Sequence, residues 1–192
     1  MEVGLLPPAA ARDEELAGAL SALVNTVYAT AEAGLWRAGS DRTSPSELAG
    51  LVAAGEIAVA RSSGDLSGDV SGDVLGDVLG TVAGCVRVRE IADGVGEFGL
   101  LAAAPHHQGA GLGRRLVRFA EDHCRNLGHR TMQLELLVPR DFEHPSKRFL
   151  AAWYTRLGYR PDHRTPFERD YSHLAPLLAV PCELAVYRKD LD

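Results

Sequence analysis

The sequence predicts an α/β (α+β) fold in which helices flank a mixed sheet. Residues 81–91 are rich in β-branched side chains and alternate apolar with polar positions, as strands do, and residues 131–138 are predicted to be another strand, closed by Pro139. Residues 112–127 instead repeat apolar side chains at helical spacing, and Gly128 follows as a natural helix stop. Because this helical segment lies between strands, the order of elements indicates a sheet with a crossover connection.

The other elements follow from the same two periodicities. Residues 3–6 form a short apolar run that ends at Pro7, residues 56–61 alternate like a strand, residues 95–103 are the second strand of a hairpin, and residues 182–187 are a final strand. The remaining predicted helices open on acidic or small polar residues, and they begin at Asp13, Ser44 and Ser146. Asp93 and Gly94 form the turn of a hairpin. Residues 161–181 are rich in Pro, His and Arg and predict no element.

Residues 64–80 are a low-complexity segment that repeats a four-residue unit beginning Gly-Asp. Alternating Asp and Gly is compatible with calcium binding, but the nonapeptide pattern with paired glycines is absent. The segment has little apolar surface to bury, so we expect a flexible, acidic loop that expands a hairpin. The whole chain, residues 1–192, is expected to form one domain that carries this loop.

Composition excludes several classes of function. The chain has 192 residues and a net charge of −6, which disfavours nucleic-acid binding by bulk charge. No run of about 18 apolar residues and no basic leader is present, so we expect a cytoplasmic protein without a membrane span. Neither H-E-x-x-H nor C-x-x-C occurs, so no metal site is expected. The three cysteines are expected to be reduced, buried thiols.

A glycine-rich turn joins the strand at 95–103 to the helix at 112–127. Its glycines let backbone N–H groups face a phosphate, and the helix N-terminus adds a partial positive charge. Arg114, Arg115 and Arg118 oppose the helix dipole, which a bound polyanion would explain; a solvated basic face is the alternative. The dinucleotide fingerprint and the nucleotide P-loop both fail on spacing, the first because residue 114 is arginine.

Two motifs carry a resemblance to a known family. Gln108-Gly109-Ala110-Gly111-Leu112-Gly113 resembles the Q/R-x-x-G-x-G/A signature of the GNAT acetyltransferase superfamily. Residues 151–159 resemble its second signature, a helix that carries a tyrosine, here Tyr154, and ends in glycine and an aromatic residue. The order of elements is similar over nearly the whole chain. The resemblance implies a GNAT-like, mostly antiparallel central sheet with a splayed strand pair.

The resemblance also implies acetyl-CoA as a co-substrate. The pyrophosphate of acetyl-CoA is expected to contact seven consecutive residues: Gln108, Gly109, Ala110, Gly111, Leu112, Gly113 and Arg114. The pantetheine arm is expected to pair with the splayed strand at Leu101, Ala102 and Ala103. Family members often have an asparagine seven residues before the tyrosine, where this chain has Lys147. Either Lys147 or its neighbour Ser146 is expected to approach a phosphate instead.

The implied reaction is direct transfer of an acetyl group from acetyl-CoA to a primary amine of a small molecule or peptide. Tyr154 is expected to protonate the departing thiolate, with a core aromatic as the alternative role. Glu97 occupies a position that often carries the general base, and Glu135 is the competing base or substrate anchor. A catalytically silent acyl-CoA-binding sensor is the alternative function, and a homodimer is compatible with either.

Overall fold

The computed structural model describes residues 1–61, 82–107 and 109–192. The predicted loop at 64–80, Thr81 and the predicted cofactor contact Gln108 lie outside the described residues. The strands are β1 (Glu2–Leu5), β2 (Ile57–Arg61), β3 (Val82–Ala92), β4 (Val95–Ala103), β5 (Thr131–Pro139), β6 (Arg160–Pro166) and β7 (Cys182–Asp190). The α-helices are α1 (Glu14–Ala31), α2 (Pro45–Ala53), α3 (Leu112–Asn126), α4 (Pro145–Arg156) and α5 (Phe167–Asp170).

The strands form a seven-stranded sheet in the order β1-β2-β3-β4-β5-β7-β6. Pairing is antiparallel between β1 and β2, β2 and β3, β5 and β7, and β6 and β7. Strands β4 and β5 pair in parallel, and their register runs from Val95 opposite Thr131 to Glu97 opposite Gln133. The predicted mixed, mostly antiparallel sheet flanked by helices is therefore confirmed, and β4 is paired with β5 at one end only.

The chain divides into two compact units. The first unit comprises Met1–Val27, Arg42–Arg89 and Phe98–His123, and the second comprises Tyr28–Asp41, Glu90–Glu97 and Cys124–Asp192. The single domain expected over residues 1–192 stays a prediction. None of the described helices combines the length and apolar character that crossing a bilayer requires.

In the first unit, helix α1 follows directly from its sequence pattern. The Asp13 carboxylate accepts a hydrogen bond from the Leu16 backbone N–H at 2.9 Å and so stabilises the start of the helix. Leu16, Leu20 and Val24 recur every four residues, and all three are buried on one face. Asn25 on the same helix accepts hydrogen bonds from the backbone N–H groups of Arg42 and Thr43, at 2.9 and 3.1 Å. These bonds fix the chain that leads into α2.

The second unit has a core of Leu35, Leu137, Phe167, Cys182 and Leu184, which are all buried. The chain between α5 and β7 packs against this core with partly buried residues that include Tyr171 and Leu178. The backbone N–H of Ala179 donates to the Leu35 carbonyl oxygen at 2.9 Å, which ties the two segments together. Apolar packing and backbone hydrogen bonds therefore order a segment for which the sequence predicts no element.

Strand β6 is an element that the sequence pattern does not reveal. Its residues are polar or proline, and only Thr165 is buried. A half-buried strand normally alternates apolar with polar residues, and this one does not. It forms because it is the edge strand of the sheet and pairs antiparallel with β7, with a register shift between Pro161 and His163. Backbone pairing with an apolar neighbour, rather than its own side chains, places it in the sheet.

Gly96 allows β4 to lie close to its neighbours in the second unit. A Cβ atom added there would overlap Cys124 Sγ and would lie 3.2 Å from both Cys124 Cβ and Met132 Sδ. Cys124 and Met132 are buried, at 1% and 0% exposure, so neither can move into solvent. The glycine is therefore needed for the close approach of α3 and β5 to the start of β4.

We predict that Gly96→Ala lowers the free energy of unfolding by about 1–3 kcal/mol, because an overpacked core must shift its neighbours. Urea denaturation measures the change. Gly99→Ala on the same strand is the matched control, since no described atom lies within 4 Å of its added Cβ. Adding Cys124→Ala to Gly96→Ala should restore part of the loss. Equal stability of the two glycine variants would contradict the close approach.

Candidate functional site

The turn between β4 and α3 lies in the first unit and has the backbone of a phosphate loop. Gly109 and Gly111 have φ angles of 81° and 78°, a region that residues with a Cβ rarely adopt. Both glycines are exposed, whereas Leu112, which opens the helix, is 2% exposed. The Arg115 N–H donates to the Gly111 carbonyl oxygen at 3.1 Å. The N–H groups of the preceding first turn have no acceptor within a helix and suit an anion.

The arginines behind this turn do not form one uniform basic patch. Arg114, Arg115 and Arg118 are all exposed, but their partners differ. The Arg115 guanidinium, by contrast, donates to the backbone carbonyl oxygen of Met1 at 2.6 Å. Arg115 therefore holds the N-terminal end of the chain, and Arg114 is the exposed cation nearest to the glycines in sequence. Of the expected loop contacts, Gly109, Ala110, Gly111 and Arg114 are exposed, Gly113 is half-buried and Leu112 is buried, and Gln108 is outside the described residues.

Strand β4 changes direction at Leu100. Leu100 has a φ angle of 45°, and among the described residues no other non-glycine residue has a positive φ angle. Such a backbone conformation costs roughly 1–3 kcal/mol and persists where the surrounding structure enforces it. The Cys85 thiol lies 3.7 Å from the Leu100 carbonyl oxygen and is placed to donate to it. The kink immediately precedes Leu101, Ala102 and Ala103, the residues expected to face pantetheine, and no feature of the sequence predicts it.

Lys147 lies in the second unit, and its side chain is buried. The sequence predicts that either Lys147 or Ser146 approaches a phosphate, and burial disfavours this role for Lys147. Its ammonium group donates to Glu32 Oε1 at 2.6 Å, and the two side chains are only 5% and 2% exposed. The Trp36 indole N–H donates to the other Glu32 oxygen, also at 2.6 Å. A phosphate contact from Lys147 is therefore wrong, because a buried ion pair uses its charge. The other expected contact, Ser146, is partly exposed.

Tyr154 occupies the buried side of α4 and is 7% exposed. Its ring lies among the aromatic side chains of the second unit, with centroids 6.2 Å from Tyr159 and 6.4 Å from Tyr187. Burial raises the pKa of the Tyr154 hydroxyl well above its usual value, and the nearby Tyr28 raises it further. The hydroxyl therefore keeps its proton throughout the neutral range, which a general acid requires.

Glu97 is a buried carboxylate at the end of the paired part of β4, with 7% exposure. Its Oε2 accepts a hydrogen bond from the Gln133 side-chain amide at 3.2 Å. Gln133 Oε1 in turn accepts from the Arg188 guanidinium at 3.1 Å. Gln133 and Arg188 are not predicted from the sequence, because only the strand register places them beside Glu97. Alternation along β5 was the available signal, since it puts Gln133 and Glu135 on one face.

Glu135, the competing base, has a different surrounding in the second unit. Its Oε2 accepts a hydrogen bond from the Tyr171 hydroxyl at 2.8 Å. The Tyr171 ring stacks on Phe167, with centroids 5.1 Å apart and an interplanar angle of 13°. The hydrogen bond from Tyr171 connects Glu135 to an aromatic residue that packs against the apolar core of the second unit.

The structure does not bring Glu97 and Tyr154 into one cluster. Glu97, Gln133 and Arg188 lie on one face of the sheet, because their side chains contact one another in that order. Tyr187 precedes Arg188 on β7, so its side chain points to the opposite face. Tyr154 packs beside Tyr187 and therefore lies on that second face. The two candidate catalytic groups are on opposite faces of β5 and β7.

The three cysteines are free and buried, as expected from the sequence. Burial raises the pKa of Cys85 to about 12. Burial also raises the pKa of Cys124 to about 11, with a further increase from Glu90, and that of Cys182 to about 11, with a further increase from Glu32. A nucleophilic thiolate is therefore disfavoured at each position. In the part of the chain that the structure describes, no group of three or more His, Cys, Asp or Glu could hold a metal ion.

Comparison with known proteins identifies a family whose sequence model matches part of this chain. Residues 65–159 match the family model described as the Acetyltransferase (GNAT) family. This range contains the glycine turn, Glu97 and Tyr154. No curated protein matches the chain in sequence.

Several solved structures share the fold over nearly the whole chain. An IAA acetyltransferase from Bacillus cereus ATCC 14579 is 17% identical, with 98% of each chain covered and a TM-score of 0.58. The protein yncA from Salmonella typhimurium, solved with its cofactor acetyl-CoA, is 17% identical, with 100% of this chain and 94% of that chain covered and a TM-score of 0.60. An aminoglycoside 6'-N-acetyltransferase complexed with coenzyme A is 13% identical, with 100% and 98% covered and a TM-score of 0.65. At these identities the likeness is one of fold.

We predict that the native protein reacts very slowly with a disulfide reagent such as DTNB at pH 7.5. Only a minute fraction of each thiol is ionised at that pH, and burial also blocks access. Unfolding in guanidinium should expose all three cysteines of the chain. The absorbance of released thionitrobenzoate measures both states. Rapid modification of even one thiol in the native protein would contradict the burial and the raised pKa values described above.

Proposed function

The chain belongs to the GNAT acetyltransferase family, and from this premise we propose that it transfers an acetyl group from acetyl-CoA to a primary amine of a small molecule or peptide. The observation that carries the proposal is the exposed turn in which Gly109 and Gly111 have positive φ angles directly before helix α3. Such a turn offers backbone N–H groups to a pyrophosphate, and acetyl-CoA contains one.

We assign the cofactor contacts by residue as part of this proposal. The pyrophosphate contacts are the turn and the first residues of α3, namely Gln108, Gly109, Ala110, Gly111, Leu112, Gly113 and Arg114. Leu101, Ala102 and Ala103 follow the kink at Leu100, and their backbone is proposed to hydrogen bond the pantetheine arm. Ser146 remains a proposed phosphate contact, since its neighbour Lys147 is bonded to Glu32. The description of yncA with acetyl-CoA and of the aminoglycoside enzyme with coenzyme A supports this ligand class.

The proposed chemistry is direct attack of the neutral amine on the thioester carbonyl. Glu97 accepts the proton of the amine as general base, and Tyr154 donates a proton to the departing thiolate. A backbone N–H of the segment after Leu100 stabilises the oxyanion. The buried, protonated hydroxyl of Tyr154 supports its role as the acid.

The proposed activity is tested by thiol release from acetyl-CoA in the presence of a panel of primary amines. We expect release of coenzyme A with at least one amine and acetylation of that amine, confirmed by mass spectrometry. The slow reaction of the protein's own thiols with DTNB keeps the background low. Tight binding of acetyl-CoA without release with any amine would instead identify an acyl-CoA-binding sensor.

We predict that Gly111→Asp abolishes binding of acetyl-CoA while the protein stays folded. The added carboxylate would occupy the position of a phosphate and repel it, and no described atom lies within 4 Å of the added Cβ. Isothermal titration calorimetry measures the affinity. Gly94→Asp is the matched control, because Gly94 also has a positive φ angle, 70°, and open space around it in the β3–β4 turn. Unchanged affinity in folded Gly111→Asp would refute the assignment of the turn.

We predict that Tyr154→Phe lowers kcat by roughly 10²–10⁴-fold, the usual contribution of a general acid. The affinity for acetyl-CoA should change little, because the phosphates and pantetheine are held elsewhere. Steady-state kinetics with an accepted amine measure both quantities. Tyr187→Phe is the control, since it removes another buried tyrosine hydroxyl from the same aromatic group. If Tyr154→Phe turns over nearly as fast as the parent protein, Tyr154 contributes to packing and not to proton transfer.

A further inference from the structure

We propose that Gln133 and Arg188 are positioning residues that orient the Glu97 carboxylate for proton acceptance from the amine. This inference rests on the proposed function, in which Glu97 is the general base. Neither residue touches the reacting atoms in the proposed reaction. Arg188 acts on Gln133, and Gln133 acts on Glu97, through hydrogen bonds that run across three neighbouring strands of the sheet.

Strand register places the three side chains in a row. Glu97 on β4 lies opposite Gln133 on β5, and Gln133 lies opposite Arg188 on β7. Directly opposed residues in a sheet share a face, so their side chains can contact one another. The Gln133 amide donates to Glu97 Oε2 at 3.2 Å, and the Arg188 Nε–H donates to Gln133 Oε1 at 3.1 Å.

The direction of this row is determined by Arg188. A glutamine amide has one end that only accepts hydrogen bonds and one that only donates, and either end can face a given neighbour. A guanidinium group only donates, so Gln133 must present its oxygen to Arg188. The amide nitrogen of Gln133 is then turned toward β4, where it donates to the Glu97 carboxylate. Arg188 thereby selects the amide orientation that favours the anionic form of Glu97.

The environment changes from buried to exposed along the row. Glu97 and Gln133 are each 7% exposed, whereas the Arg188 side chain is 48% exposed. Asp162 on β6 lies 3.2 Å from Arg188 Nε, and the same Asp162 oxygen lies 3.0 Å from His163 Nδ1. The Arg188 charge is therefore screened by solvent and by a carboxylate. We infer that Arg188 acts mainly by orienting Gln133, and that the buried hydrogen bond of Gln133 has the larger effect.

The charged side chains that register or alternation also places on this face are Arg160 on β6, opposite Arg188, Asp190 on β7, two residues beyond Arg188, and Glu135 on β5, two residues beyond Gln133. Tyr171 donates a hydrogen bond to Glu135.

The pH dependence of kcat/KM distinguishes positioning from packing. The relevant part of the kcat/KM profile is its acidic limb, the fall in activity at low pH, which the Glu97→Gln substitution should abolish. Gln133→Met has a similar length but no donor, so the anionic carboxylate loses a hydrogen bond and becomes protonated at higher pH. We expect the limb to move up by about one pH unit and kcat at neutral pH to fall by about tenfold. Arg188→Met should move the limb in the same direction by a smaller amount, without changing the KM for acetyl-CoA.

A double-mutant cycle tests whether Arg188 acts through Gln133. In the Gln133→Met background, Arg188→Met should add no further shift, because the residue on which it acts is gone. Arg188→Lys keeps a donor and should restore much of the parent profile. Lys189→Met is the matched control, since it removes the next positive charge on β7, whose side chain lies over the Tyr159 ring on the opposite face. Its profile should equal that of the parent.

Several outcomes would overturn the inference. If Arg188→Met shifts the limb as much without Gln133 as with it, the arginine acts by its own charge. If neither variant shifts a limb that Glu97→Gln abolishes, the row is structural only. Should Gln133→Met fail to fold, Arg188→Met, Arg188→Lys and Lys189→Met still give this comparison, because both cations are at least partly exposed. If Glu97 is not the base, the Glu97→Gln variant will stay active and keep the acidic limb of its kcat/KM profile. If the proposed function itself is wrong, the parent protein will be inactive with every amine.

Discussion

Parallel pairing of β4 with β5 is the constraint on which the candidate chemistry depends. The pairing covers three residues of each strand and ends at Glu97 and Gln133. Up to that point β4 is paired with β5, and Gly96 allows Cys124 at the end of α3 and Met132 on β5 to approach closely. A few residues later the backbone adopts the positive φ angle of Leu100. The last paired residue is thus a carboxylate, and the strand beyond it provides the backbone that we assign to pantetheine.

Much of the fold follows from patterns that are visible in the sequence. Asp13 before α1 and the alternation in β3 and β5 have local causes, namely helix capping and burial of one strand face. The turn at Gly109 and Gly111 was identifiable for the same reason, since few other residues adopt its backbone conformation readily. These features depend on neighbours in the chain and need no knowledge of tertiary structure.

Other features depend on contacts between distant residues and could not be derived in this way. Strand β6 is polar and is defined by its pairing with β7. The role of Gln133 depends on a cross-strand register that no local pattern specifies. Lys147 was misjudged because lysine is usually exposed, whereas here its partner Glu32 is 115 positions away in the chain. Sequence reasoning therefore found the residues of the turn and of α4 but not the surroundings of their side chains.

The buried pair of Glu32 and Lys147 links two positions that a family comparison would treat separately. Replacing Lys147 by asparagine, the residue that the family resemblance leads us to expect there, would leave the Glu32 carboxylate buried without its cation, at a cost of about 3–5 kcal/mol. A consensus substitution that is neutral in a relative is therefore harmful in this chain unless Glu32 changes with it. Divergence at this helix must proceed by paired replacements, and transplanting α4 from another family member would require the end of α1 as well.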